Sequence, residues 1–155
     1  MSTPMPMHTL TPTTNTLILL QLRTGYNWIL LIPGLLLDLP NNPPTRLYTI
    51  IHIQSTRTGY TSLAEEATDF TSLIEQMERY EEICAMPGGT DTEVKRSIEK
   101  VKAAVENAVT QGDKRWVSVF MRGMVELGWG VDEEVKRRVE RGMDCGPFEC
   151  GYGYA

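Results

Sequence analysis

The sequence is poor in cysteine and histidine, with three of the first and two of the second in 155 residues. An odd number of cysteines in a chain of this size argues against a disulfide framework. Cys145 and Cys150 could pair or bind a metal, but His8 and His52 lie far from them in sequence. Because a zinc site takes four ligands, we expect a free tail without a metal.

Long apolar runs are also missing. The most apolar stretch, Trp28–Leu37, spans ten residues and contains Pro33-Gly34, whereas a membrane-spanning helix needs about 20 apolar residues. The N-terminus lacks the basic segment of a secretory signal peptide. These absences favour a cytoplasmic protein without a membrane span.

The net charge of −5 is divided unevenly along the chain. Residues 1–62 carry three arginines against one acid, whereas residues 63–155 carry 12 basic and 19 acidic side chains. A surface that binds nucleic acid needs a concentrated positive potential. We therefore expect no nucleic-acid partner, which leaves a protein or a small molecule.

The first third of the chain predicts a leader and three strands. Residues 1–14 are mostly Met, Thr and Pro without periodicity, which is typical of a disordered leader. Three short runs rich in Ile and Leu follow, each bracketed by turn residues, and they predict strands at Leu17–Leu22, Trp28–Ile32 and Leu47–Ile53. Pro33-Gly34 is expected to end the second strand.

Residues 59–86 carry two conflicting patterns. Six apolar residues recur at helical spacing and favour a helix: Leu63, Ala67, Phe70, Ile74, Met77 and Tyr80. Frequent Thr and Ser up to Ser72 oppose this interpretation, and residues 83–86 could form a short strand before Pro87. The helix is the favoured prediction, and strands remain the alternative.

Three helices are predicted after Gly89. Thr90 and Glu93 have the spacing of a capping box, which predicts a helix over residues 90–111 with one apolar stripe, Val94, Ile98, Val101, Val105 and Ala108. Asp113 is suited to cap a second helix, which is expected to end at Gly128. Asp132 is suited to cap a third helix, which is expected to run through Arg141.

Strands followed by helices predict the α+β class. We expect a small antiparallel sheet from the N-terminal half, packed against the C-terminal helices. A single domain would cover residues 15–142, with a flexible tail rich in glycine and containing cysteine over residues 143–155.

Few residues stand out as chemical groups. The sequence has no phosphate loop, no Cys-x-x-Cys, no His-Glu-x-x-His and no nucleophile elbow, so we expect no cofactor. Glu65-Glu66 is interpreted as solvated surface, since adjacent residues on a helix point apart. Cys84 follows Glu81 and Glu82, which would raise the pKa of its thiol, and it is interpreted as a small buried side chain.

His52 is more informative because it interrupts the apolar strand Ile50-Ile51-His52-Ile53. Alternation along a strand places Ile51 and Ile53 on one face and Tyr48, Ile50 and His52 on the other. A histidine there is either a half-buried side chain with satisfied ring nitrogens or part of a site.

Asn27–Ile32, Leu47–Ile53 and Gly112–Val117 together resemble the lecithin-retinol-acyltransferase and NlpC/P60-like group, and uncharacterised fungal proteins of similar length carry comparable patterns. The resemblance implies a permuted papain-type fold, in which residues 59–66 and 80–86 would be strands. In that group a cysteine at a helix N-terminus is the nucleophile, a strand histidine is its base, and a second histidine orients the base.

The matching positions here hold Asp113, Asn27 and His52, so the nucleophile and the base are both replaced. The resemblance therefore implies a non-catalytic, degenerate domain that acts as a binding or regulatory module. Two alternatives stay open. A hydrolase or transferase acting on an acyl group or small molecule could use His52 with Asp113 or Cys84, and an interaction protein could dock through helix 90–111.

Overall fold

The computed structural model describes residues 15–23, 27–38, 40, 44–57, 59–87, 89–110 and 116–143, without the side chains of residues 142 and 143. These residues form five strands and four helices, in the order β1 (Thr16–Leu22), β2 (Asn27–Leu37), β3 (Thr45–Thr56), β4 (Gly59–Ala67), α1 (Thr71–Glu75), β5 (Met77–Ala85), α2 (Asp91–Thr110), α3 (Trp116–Glu126) and α4 (Glu133–Met143). The predicted α+β class is confirmed.

The strands form one antiparallel sheet in the order β4-β3-β2-β1-β5. The first four strands follow one another as neighbours, and β5 returns to pair with the free side of β1. Helices α2, α3 and α4 contribute side chains to the core on one face of the sheet, and α1 contributes to the core on the other. We call these the helix-covered face and the α1 face.

An aromatic cluster fills the helix-covered face. Trp116, the first residue of α3, is fully buried and lies edge-on to Trp28 of β2, with 5.7 Å between ring centroids. Phe120 and Tyr60 pack around Trp116 at 5.8 Å and 6.5 Å. Such edge-to-face contacts add to the hydrophobic free energy of burying large rings.

Strand β2 continues through Pro33-Gly34, so the prediction that it ends there was wrong. The register shifts between Pro33 and Leu36, so that Gly34 and Leu35 together face Leu47 of β3. This is a β-bulge, in which an extra residue is left out of the ladder. A bulge is one of the few places inside a sheet that tolerates proline.

The helix predicted from Leu63 to Tyr80 was wrong, and the strand alternative is correct. Strand β4 pairs with β3 along its full length, from Gly59 opposite Thr56 to Ala67 opposite Tyr48. Helical structure in this region is limited to the five residues of α1. A tight hairpin with a long ladder therefore overrides the helical spacing of the apolar residues.

The helix starts agree with the capping signals where the structure describes them. Thr90 and Glu93 form the predicted capping box, with the Glu93 N–H donating to Thr90 Oγ1 at 3.2 Å and the Thr90 N–H donating to Glu93 Oε1 at 3.1 Å. The Glu134 N–H donates to Asp132 at 2.8 Å. Gly112, Asp113, the predicted leader over residues 1–14 and the tail from residue 144 lie outside the described residues.

Candidate functional site

Asn27 and His52 lie near each other on the α1 face. Asn27 begins β2 and is opposite Gln54 of β3, whereas His52 is opposite Ile29. Asn27 and His52 are therefore diagonal neighbours on adjacent strands, about 7–8 Å apart. Sequence reasoning predicted the face of His52 correctly, since Ile51 and Ile53 belong to the core of the helix-covered face.

Asp113 is the third residue of the predicted degenerate site, and it lies outside the described residues. The helix that Asp113 is predicted to cap is described from Trp116, which packs on Trp28 on the helix-covered face. Asn27 and His52 lie on the other face, near the same end of the sheet. The convergence of all three residues remains a prediction.

The contact between Glu65 and His52 defines the site. Glu65 lies on β4 one diagonal step from His52, and its Oε2 is 2.5 Å from His52 Nε2. An ionised carboxylate only accepts hydrogen bonds, so the ring nitrogen must donate. The side chains of His52 and Glu65 are 35% and 55% exposed, which leaves the pair open to a ligand.

An exposed leucine and a buried amide oxygen flank this pair. Leu63 is directly opposite His52 on β4 and is 70% exposed. Asn27 Oδ1 is buried and has no hydrogen-bond partner among the described residues. We call His52, Leu63 and Glu65, together with the neighbouring Asn27 of β2, the β3–β4 surface. It combines hydrogen-bonding groups, charge and an apolar side chain, which is typical of a binding surface.

Sequence reasoning missed Leu63 and Glu65 because it placed them on a helix. The signal that could have found them is the turn at Arg57 and Gly59. A tight hairpin there fixes the register of the following strand, and the period of two then places Leu63 and Glu65 on the same face as His52.

Cys84 is not part of this surface. It lies on β5, packs against the core of the helix-covered face, and is separated from β3 by β1 and β2. Three strand spacings amount to about 14 Å. Burial raises the pKa of the Cys84 thiol to about 11; the sequence had suggested Glu81 and Glu82 as the cause. The structure therefore offers no Cys84 thiolate to His52.

The apolar stripe of α2 is already packed into the core of the protein. Val101, Val105 and Ala108 are buried in the core of the helix-covered face, and Ile98 and Ala104 pack against it. The side chains that α2 exposes are mainly polar or charged, such as Glu99 and Glu106. Docking of a partner through the stripe, one of the functions considered from sequence, would require the core to open.

A separate cavity lies at the opposite end of the sheet. It has a volume of about 230 Å³ and is lined by Asn15, Pro33, Gly34, Arg46, Met86, Pro87 and Val94. The Arg46 guanidinium donates a hydrogen bond to the Gly34 carbonyl at 2.7 Å. None of these lining residues is among the candidate catalytic residues named from sequence.

The part of the chain that the structure describes contains neither a metal site nor a membrane-spanning helix. No group of three or more His, Cys, Asp or Glu side chains is arranged there to hold a metal ion. No helix there combines the length and apolar character that crossing a membrane requires. Cys145 and Cys150 lie outside that part.

Comparison with known proteins identifies no relative for this arrangement. The chain matches no family model, and neither the curated proteins nor the solved structures contain a match to it.

Proposed function

We propose that this chain is a non-catalytic binding or regulatory module with a degenerate papain-like site, and that it binds through the β3–β4 surface. The observation that carries the proposal is the contact between His52 and Glu65. It gives His52, at the position of the family's orienting histidine, a carboxylate partner instead of the base that this histidine would orient.

The chemistry of the neighbouring residues supports the same conclusion. A thiol nucleophile must lie within hydrogen-bond reach of its base, about 2.6–3.2 Å. Cys84 is on the other face of the sheet and has a raised pKa. Asn27, at the position of the family's base, has an amide that cannot accept a proton at neutral pH.

Neighbouring residues also support a proposal for the compartment and for the class of partner. Cys84 is a free thiol, which fits the reducing cytosol. The acidic side chains Glu65 and Glu66 on β4 disfavour nucleic acid as the ligand, because phosphates would be repelled. A protein or a small molecule is therefore the proposed partner.

A hydrolase or transferase acting on an acyl group or small molecule is the second candidate, and the His52–Glu65 contact also favours it. A carboxylate that accepts from one ring nitrogen orients an imidazole for use as a general base. In this alternative His52 would act with Asp113; Cys84, the other partner considered from sequence, lies on the other face of the sheet.

Activity probes separate the two candidates. Wild type, His52→Gln and Gln54→Ala would be treated with a fluorophosphonate probe, an iodoacetamide probe and p-nitrophenyl esters of different chain lengths. A binding module gives the same labelling and the same background hydrolysis in all three proteins. Gln54→Ala is the matched control, because Gln54 is exposed and lies two residues from His52 on the same strand. Labelling or turnover that is lost only in His52→Gln would establish an enzyme and overturn the proposal.

A further inference from the structure

The two edges of the sheet differ in how they are covered. At the β5 edge, Arg138 of α4 donates two hydrogen bonds to the Glu81 carboxylate, from Nε at 2.9 Å and from Nη2 at 3.0 Å. At the β4 edge, no strand among the described residues pairs beyond β4, and every residue from Thr61 to Glu66 is exposed. Among the described residues, the β4 edge is therefore the more exposed of the two.

An open edge strand presents unpaired backbone N–H and C=O groups on which another strand can form a ladder. Strand β4 is nine residues long, which exceeds the usual five or six. Leu63, near its centre, is 70% exposed. A large apolar side chain in the middle of a long open edge provides both the backbone and the side-chain contacts that strand addition uses.

The segment of the chain that forms this edge and α1 is acidic. Residues 59–78, which include β4 and α1, contain five acidic residues and no lysine or arginine. Glu65 and Glu66 belong to β4 itself. This segment therefore presents a negative potential beside an apolar centre.

We infer that β4 is the docking edge for an extended, basic segment of a partner protein, which adds a sixth strand to the sheet. This inference rests on the proposed binding function and names the partner class. Lysine or arginine side chains of the segment would pair with Glu65 or Glu66, and an apolar side chain would cover Leu63. Charge complementarity of this kind selects partners and speeds association.

A second copy of the chain is a poorer occupant of the same edge. Two β4 strands would each bring Glu65 and Glu66 and no cation. Cross-strand pairs of like charge are destabilising. The charges that keep two copies apart are thus the ones that attract a basic strand.

Peptide binding followed by hydrogen exchange tests the inference. The probe is a fluorescein-labelled peptide of eight residues that alternates lysine with valine, and its counterpart carries glutamate in place of lysine. We expect the basic peptide alone to bind, with an affinity that falls as salt is added. Binding should slow the exchange of outward-facing β4 amides and leave the β5 amides unchanged.

Paired variants separate edge docking from general attraction to an acidic protein. Glu65→Gln with Glu66→Gln should weaken binding of the basic peptide roughly tenfold, the effect of losing two exposed ion pairs. The matched control is Glu99→Gln with Glu106→Gln, which removes the same charge from the exposed side of α2 and should change the affinity by less than about twofold. Circular dichroism checks that both variants fold.

Three results would overturn the inference: equal affinity for the two peptides, equal weakening by the two double variants, or unchanged β4 exchange in the complex. A concentration-dependent dimer in sedimentation, with β4 amides protected, would assign the edge to a second copy and also overturn it. The proposed function fails by a different result, a His52-dependent turnover, so the two failures can be told apart.

Discussion

Gly34 of β2 lies against the backbone of Leu47 on β3. A methyl group added at Gly34 would stand 2.5 Å from the Leu47 carbonyl oxygen and 3.4 Å from Ile98 Cδ1 of α2. The first distance is shorter than a van der Waals contact, and its partner is backbone, which cannot rotate away. The bulge of β2 thus depends on the absence of a side chain at this position.

Gly34→Ala should lower the free energy of unfolding by about 1–3 kcal/mol, the usual cost of overpacking. Gly123→Ala is the matched control, because its added methyl group would be 3.5 Å from Ala104 Cβ, an ordinary contact. Replacing a glycine inside a helix by alanine gains about 0.5–1 kcal/mol. Urea unfolding should therefore show changes of opposite sign, and equal effects would contradict the bulge geometry.

Trp116→Ala should destabilise the protein by about 3–5 kcal/mol, the cost of removing a large buried aromatic side chain. Trp116→Phe should cost less, because the ring contacts with Trp28 and Phe120 are largely kept. The Trp116 Nε1 also has no hydrogen-bond partner among the described residues. Trp129, which is only partly buried, provides the control. Denaturant unfolding would measure the free energy of unfolding of each variant. If Trp116→Ala lowers it no more than Trp129→Ala does, the core is centred elsewhere.

The raised pKa of Cys84 predicts a dependence of stability on pH. The folded thiol has a pKa of about 11, above its ordinary value of 9.0, so the unfolded chain loses the proton first. The stabilisation from this group is therefore complete below about pH 9 and is lost as the pH rises toward 11.

Wild type and Cys84→Ala would be unfolded in urea at pH 8 and at pH 10.5. We expect the stability advantage of the wild type over the variant to shrink at the higher pH. Alkylation of Cys84 by iodoacetamide at pH 8, followed by mass spectrometry, should also be slow in the folded protein and fast in urea. If the stability advantage of the wild type is the same at both pH values, and if Cys84 is alkylated rapidly in the folded protein, the thiol is exposed.

Asn27→His combined with Asp113→Cys tests the papain-like proposal. If residues 27, 52 and 113 converge, the new imidazole lowers the pKa of the new thiol, and its alkylation at pH 7 should be roughly tenfold faster than in Asp113→Cys alone. The comparison is made by mass spectrometry on the two proteins. Equal alkylation rates in the two proteins would show that residues 27 and 113 are not close together, and would remove the papain-like part of the proposal.

The sequence predicts the face of His52 because alternation in a strand depends on local geometry alone. It also predicts the start of α2, because Thr90 and Glu93 lie within one turn and bond each other. These features rest on neighbours in the chain. They do not depend on how distant segments of the chain pair or pack.

Features that depend on pairing between strands were not predictable in the same way. Leu63, Phe70 and Ile74 recur at helical spacing, yet Leu63 belongs to β4, which pairs with β3 along its full length. The continuation of β2 through Pro33 needs a bulge opposite Leu47. The bulge has no signature within a few residues of sequence, and the ladder has one only in the turn at Arg57 and Gly59.

The return of β5 to the side of β1 sets an order for folding. Leu22 pairs with Met77, and Thr16 pairs with Ala85, so β1 remains an edge strand until a much later segment of the chain is available. At a synthesis rate of about 5–20 residues per second, that delay is roughly 3–13 s on the ribosome. The three hairpins of β1 to β4 have only short loops to close, whereas the β1–β5 ladder closes a long one. Newly made β1, with Leu17, Leu19 and Leu20, therefore keeps one side unpaired until β5 has been synthesised.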